Sequence, residues 1–233
     1  MKVFITGVSS GIGLGLVEYN LKQGAEVYGV SRRPCPIDEA TFCALDITDS
    51  KAVQKNLELL LKDVESLDLV VLNAGILGEI KDLKDTSLHD LREMMEVNLW
   101  ANKTLLDALF HIVSEIKQVV AISSGAAVNG NRGWGGYALS KAALNMLIQL
   151  YAREQEQTHF IALAPGLVDT AMQDYLCGGK VDLSQFSSLQ KLMNARGTDA
   201  MPNPQEAAAK LMKVMPSLIL KPSGEFVDIR KLK

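Results

Sequence analysis

At 233 residues, 48% hydrophobic and 22% charged, the chain has the composition of a soluble globular protein and is long enough to bury a sizeable core without staples. Its net charge of −3, with no basic run, argues against a nucleic-acid partner; no apolar run approaches a membrane span; and Lys2 before "VFI" makes no signal peptide. Cys35, Cys43 and Cys177 form no CxxC pair, which fits free thiols in a reducing cytoplasm, and the scattered His89, His111 and His159 suggest no metal site.

Short apolar runs rich in β-branched residues predict strands at 2–6, 26–30, 42–45, 68–72, 118–123, 159–163 and 225–229. They lack strict polar alternation, as strands covered on both faces do. Helical patterns lie between them at 11–23, 50–65, 87–115, 137–155 and 204–214. This alternation predicts an α/β fold in one domain over 1–233, with a parallel sheet and helices on both sides. The segment 171–202 breaks the rhythm and is expected to be a lid over a site.

The first strand runs into "TGVSSGIG", Thr6 to Gly13. Strand, glycine loop and helix in that order place the loop at the carboxyl end of the sheet, where α/β proteins bind ligands. Missing side chains let the backbone approach a diphosphate, and the helix start offers it unpaired N–H groups. Ser9 and Ser10 can add hydroxyl donors. Tyr137 and Lys141, four residues apart, share one helix face. An ammonium beside a phenol is expected to lower its pKa toward the range useful in acid–base work. A solvated Tyr–Lys pair would look the same in isolation.

With its T-G-x-x-x-G-I-G spacing the chain resembles the short-chain dehydrogenase/reductase family, and further matches follow in order: "LDITD" (45–49), "LNAG" (72–75), "EVNLW" (96–100), "ISSG" (122–125), "YALSK" (137–141) and "APGLVDT" (164–170). Leu72 replaces the first asparagine of the family's N-N-A-G motif. The resemblance implies a Rossmann-type doubly wound sheet of seven strands and a nicotinamide cofactor. It implies that Gly7, Ser9, Ser10, Gly11, Ile12 and Gly13 hold the diphosphate. Asp46 and Ile47 would lie at the adenine; Asn73, Ala74 and Gly75 near its ribose; Pro165, Gly166, Val168 and Thr170 at the nicotinamide. Asn98, Ser124, Tyr137 and Lys141 match the catalytic set. There Tyr137 would donate a proton, Ser124 polarise a carbonyl, and Lys141 also bind the ribose. Asn98 would hold a water linking Lys141 to solvent. Ser124, 13 residues before Tyr137, is preferred to Ser123.

Cofactor choice is read at the end of the second strand, "YGVSRRP" (28–34). Ser31 stands where an aspartate would repel a 2′-phosphate, and two guanidiniums follow. NADP(H) is therefore expected, with Arg32 as the main contact, Ser31 helping, and Arg33 at phosphate or in solvent. A substrate pocket of Ser124, Ala126, Trp134, Met172 and Tyr175 would accept an apolar or aryl ketone. The ending "SGEFVDIRKLK" resembles that of sepiapterin- and benzil-reductase-like members, which favours a small ketone, aldehyde or dicarbonyl. An oxidative alcohol or hydroxysteroid dehydrogenase and a non-catalytic NADP-binding sensor remain open. The apolar residues of the helices at 87–115 and 137–155 suggest a homodimer or homotetramer.

Overall fold

The computed structural model describes residues 1–177 and 185–232. All seven strands pair in parallel, in the order β3-β2-β1-β4-β5-β6-β7. They are β1 (Lys2–Thr6), β2 (Glu26–Ser31), β3 (Thr41–Ala44), β4 (Ser66–Leu72), β5 (Glu115–Ile122), β6 (His159–Ala164) and β7 (Glu225–Asp228). The chain runs outward from β1 to β3, then returns to lay β4 on β1's other side. The order therefore reverses between β1 and β4, opening a crevice at their carboxyl ends.

The helices are α1 (Gly11–Lys22), α2 (Ser50–Leu60), α3 (Leu88–Met95), α4 (Ala101–Ile112), α5 (Gly135–Glu154), α6 (Ala171–Cys177), α7 (Ser187–Ala195) and α8 (Pro204–Val214). Period-2 side chains divide the strands between two cores. Phe4, Val70 and Val119 face α2, α4 and α5 through Leu57, Leu105 and Leu144. Val3, Ile5, Val71 and Val120 face α1 and α8 through Leu16, Val17 and Leu211. Both faces are dry, so the strands read as unbroken apolar runs. The α1–α8 crossing is close because Gly15 has no side chain: a Cβ there would lie 2.6 Å from the Pro204 carbonyl oxygen.

Two predicted helices differ from the structure. The one expected over 50–65 ends at Leu60, and a turn closed by Val64 N–H on the Leu61 carbonyl (2.9 Å) feeds β4. The one expected over 87–115 is interrupted by a π turn at Glu96–Trp100. The Asn102 side chain donates to the Asn98 carbonyl (2.9 Å) at this irregularity. Periodicity alone does not reveal a one-residue insertion in a helical ladder. The expected lid segment contains α6 and α7, while its residues 178–184 lie outside the described residues. Asn203 and Glu206 form a capping box at the start of α8, with Pro204 in the first turn, so this helix begins where predicted. No helix among the described residues is long and apolar enough to cross a membrane.

Candidate active site

A cleft of about 1100 Å³ opens at the carboxyl ends of the strands. Its floor is built at the β1–β4 junction. The fully buried Thr6 hydroxyl accepts the main-chain N–H groups of Asn73 and Ala74, both at 2.9 Å. The Asn73 side chain donates back to the Thr6 carbonyl at 2.9 Å. The glycine loop and the "LNAG" loop are thereby one unit. Gly7 (φ +76°) and Gly11 (φ +57°) adopt backbone conformations that side chains disfavour. Gly13 serves the packing beneath: its Cβ would sit 2.2 Å from the Gly7 carbonyl oxygen, and it does not line the cleft. Ser10 precedes α1 without capping it through its side chain, leaving the helix start open to an anion.

Ser31, Arg32 and Arg33 line one end of the cleft with Asp46 and Ile47. Their roles are more divided than the sequence suggests. The Ser31 hydroxyl donates to the Arg33 carbonyl (2.6 Å) and so shapes the loop. The Arg33 guanidinium reaches the Ser10 hydroxyl (3.1 Å), tying this loop to the glycine loop. Asp46 accepts from the Thr48 N–H (3.0 Å) and hydroxyl (2.8 Å). Those bonds, in that order, hold its carboxyl below the usual range, and the Arg32 charge adds to the effect.

Tyr137 and Lys141 enter from the first turns of α5. Ser124 follows β5, accepts from the Ala126 N–H (3.1 Å), and hydrogen-bonds the Tyr137 hydroxyl. Ser123 also borders the cleft, but its hydroxyl donates to Asn145 Oδ1 at 2.5 Å. Burial pushes the Tyr137 phenol up, and the Ser124 bond partly offsets this. The expected lowering by Lys141 is not found: the lysine Nζ donates to the Ile122 carbonyl (2.8 Å) and lies 5.9 Å from the phenol ring centre. Burial lowers Lys141 itself to about 8. The fully buried Asn98 side chain is also committed, accepting from Ile76 N–H (2.8 Å) and donating to the Ile76 carbonyl (2.8 Å) and Ser140 hydroxyl (2.9 Å). It braces the loop after Gly75 and leaves no side-chain hydrogen for a water.

The far wall is apolar. Leu77, Ile80, Leu176, Phe186, Leu189 and Leu192 form a small core under α6 and α7, with Trp134, Tyr137 and Met172 packed against it. Trp134 Nε1 donates to the Ser188 hydroxyl (2.8 Å), and Arg196 bridges Asp169 and Asp174 at the base of α6. The cleft lining takes in Ser9, Ile12, Ala74, Gly75, Pro165, Gly166, Val168 and Thr170, together with Ser124, Trp134 and Met172. Ala126 and Tyr175 lie off it: Ala126 sits in the short turn after Ser124, and Tyr175 packs against the small apolar core under α6 and α7.

Several lining residues escaped the sequence reading. His89, Arg92, Glu93 and Glu96 form one polar face along α3 and the π turn, a stripe at i, i+3, i+4 and i+7 that could have been noticed. Gln173 and Leu192 come from α6 and α7, beside Leu176, which the sequence did offer as a wall residue. Arg230, forked onto Asp228 (2.9 and 2.6 Å), lies against Gly125 and Gly166, where Cβ atoms would meet it at 3.0 and 3.5 Å. Among the described residues no cluster of three or more His, Cys, Asp or Glu is placed to hold a metal.

Comparison with known proteins gives a consistent picture. Residues 1–178 match the family described as short chain dehydrogenase. Benzil reductase ((S)-benzoin forming) of Bacillus subtilis is 30% identical over 226 residues, covering 91% of each chain. A Saccharomyces cerevisiae protein of the same description is 33% identical over 191 residues, covering 73% of each. A solved short chain dehydrogenase/reductase from Saccharomyces cerevisiae superposes with a TM-score of 0.87 at 25% identity, covering 99% of this chain and 96% of that one.

Burial of Lys141 has a measurable consequence. Its proton is held less tightly in the folded state than in the unfolded one, whose pKa is near 10.5. The unfolded chain thus binds more protons between about pH 8 and 10.5, and this residue's contribution to stability rises with pH through that window. Lys141→Met should therefore gain most, relative to wild type, at pH 7 and lose that relative gain toward pH 10. Thermal melts of both proteins at the two pH values check this; a difference independent of pH would contradict it.

Proposed function

The chain belongs to the short-chain dehydrogenase/reductase family of oxidoreductases, and from that premise we propose that it uses NADPH to reduce an apolar ketone or 1,2-dicarbonyl to an alcohol. The observation that carries the reading is the Ser124 bond to the Tyr137 hydroxyl, between the glycine cradle and an apolar wall. The cradle fits a dinucleotide: Gly7 and Gly11 keep side chains off the diphosphate position, and the start of α1 faces it. Arg32 and Arg33 suit a 2′-phosphate, with no acidic side chain at Ser31 to oppose it. Val168 and Thr170 lie on the nicotinamide side. When bound, the dinucleotide supplies the hydride.

The protein's part is positioning and proton transfer. Ser124 accepts from the Ala126 N–H, which leaves its own proton to donate. A substrate carbonyl oxygen placed between Ser124 and Tyr137 receives two donors. Tyr137 releases its proton to that oxygen as negative charge develops, and Ser124 keeps its own. Lys141, fixed on the Ile122 carbonyl below Tyr137, is placed to bind the nicotinamide ribose. Asn98 holds the Ile76 loop and Ser140 in place from below. Trp134 and Met172 present the apolar contact for an aryl group. The relatives described as benzil reductases make aryl 1,2-diketones the first substrates to try. We take residues 1–233 as one catalytic unit, with α6 and α7 in its lid.

Initial rates of NADPH oxidation with benzil and other aryl diketones test this. Tyr137→Phe should lower turnover about 10²–10⁴-fold, the usual contribution of a general acid, while NADPH still binds. Faster turnover of alcohols with NADP⁺ than of any ketone with NADPH would contradict the reductive reading.

Assembly belongs to the same proposal. Leu139, Met146 and Leu150 form a half-exposed stripe on α5 (53%, 54% and 52%), and Trp100 is 49% exposed on the π turn packed against that helix. Such a patch is typical of a subunit contact. Light scattering should give twice the chain mass, and Met146→Glu with Leu150→Glu should give one chain mass. A wild-type monomer would refute this contact.

A further inference from the structure

Three neighbouring strands end level at the carboxyl edge of the sheet. Ile122 of β5 pairs with Leu163 of β6, and Ala164 of β6 with Asp228 of β7. The turns beyond them carry Ser124 and Gly125, then Pro165 and Gly166, then Arg230. The first turn brings Ser124 to the Tyr137 hydroxyl, and the second lines the cleft on the proposed nicotinamide side. Arg230 lies off the cleft lining and packs against both turns.

Its grip is prepared by Asp228. That buried carboxylate accepts the Arg230 main-chain N–H (3.0 Å), Nε–H (2.9 Å) and Nη2–H (2.6 Å). Paired charge-assisted bonds fix a half-exposed guanidinium that would otherwise sample many rotamers. The stem then lies on Gly166, where a Cβ would stand 3.5 Å from Cγ and 3.6 Å from Cδ. Nη2 lies over Gly125, where a Cβ would stand 3.0 Å away. Gly166 has a second reason to be glycine, its φ of +79°. Gly125 is not at positive φ, so the approach of Arg230 is what favours glycine there. We propose that Arg230 is a positioning residue: pinned on Asp228, it fixes the Ser124 turn against the Gly166 turn, and so sets where the substrate carbonyl meets the cofactor ring. The inference rests on the reductase reading of the cleft. The diphosphate cradle is built separately, at the β1–β4 junction, so loss of Arg230 should slow the chemistry and leave cofactor affinity nearly intact.

Stopped-flow single turnovers of benzil with enzyme-bound NADPH test this, because rate and amplitude separate misplaced groups from lost protein. Arg230→Met keeps the stem and removes the fork. It should lower the single-turnover rate about tenfold, within what a misplacement of about 1 Å can cost. The amplitude should stay at the wild-type value, and the NADPH Kd should change less than about twofold by fluorescence titration. Asp228→Asn, which weakens the fork from the other side, should lower the rate in the same way and serves equally if Arg230→Met does not fold. Gly125→Ala should lower the rate about fivefold in wild type, where its methyl meets the pinned Nη2, and less than about twofold in Arg230→Met, where that space is open. An unchanged rate in either fork variant, a fall in amplitude alone, or Gly125→Ala costing as much without Arg230 as with it would overturn the role. A wild type that reduces no carbonyl would overturn the reductase reading, and this role with it.

Discussion

The site depends first on one buried hydroxyl. Thr6 closes β1 by accepting two main-chain N–H groups from the loop after β4, and Asn73 returns a bond to its carbonyl. These strands flank the point where the sheet order reverses, so without a bridge the crevice would be two separate loops. Gly13 reinforces the joint, because only a residue without a side chain lets α1 approach Gly7 and Asn73 so closely. A cradle rigid at this point can present backbone N–H groups to an anion without reorganising.

Around that joint, polar side chains are spent on holding other groups. Asn98 braces Ile76 and Ser140, Ser31 fixes the Arg33 carbonyl, and Asp228 holds Arg230 beside the loop carrying Ser124. Among the polar groups that line the cleft are the Ser124 and Tyr137 hydroxyls and the Arg32 guanidinium. Lys141 illustrates the tension. Its burial disfavours its charge, while the Ile122 carbonyl accepts a bond from it and holds it in place. Folding tolerates an ammonium there that a purely structural core would replace.

Much of this was legible in the sequence, for identifiable reasons. A parallel sheet covered on both faces produces apolar runs, and these placed all seven strands to within a few residues. Glycines forced by positive φ or close approach, as at Gly7 and Gly13, leave a fixed spacing. Tyr137 and Lys141 share a helix face by arithmetic. What periodicity cannot carry is the π turn at Glu96–Trp100, which holds Asn98. Nor can it show contacts made across the fold: Lys141 bonding Ile122 and not its neighbour's phenol, Arg230 reaching Gly125 from the chain's far end, or Gln173 left unpaired. The segment between Ser124 and Tyr137 offers Ala126 as a pocket wall, yet the turn whose N–H binds the Ser124 hydroxyl carries Ala126 off the lining.

The central claim is that this cleft takes NADP(H) through the arginines after β2. Titration of NADPH against NADH, on wild type and Arg32→Ala, addresses it most directly. The account predicts at least tenfold tighter binding of NADPH, about 1.4 kcal/mol, and loss of that margin in the variant. Equal or tighter binding of NADH by wild type would contradict it.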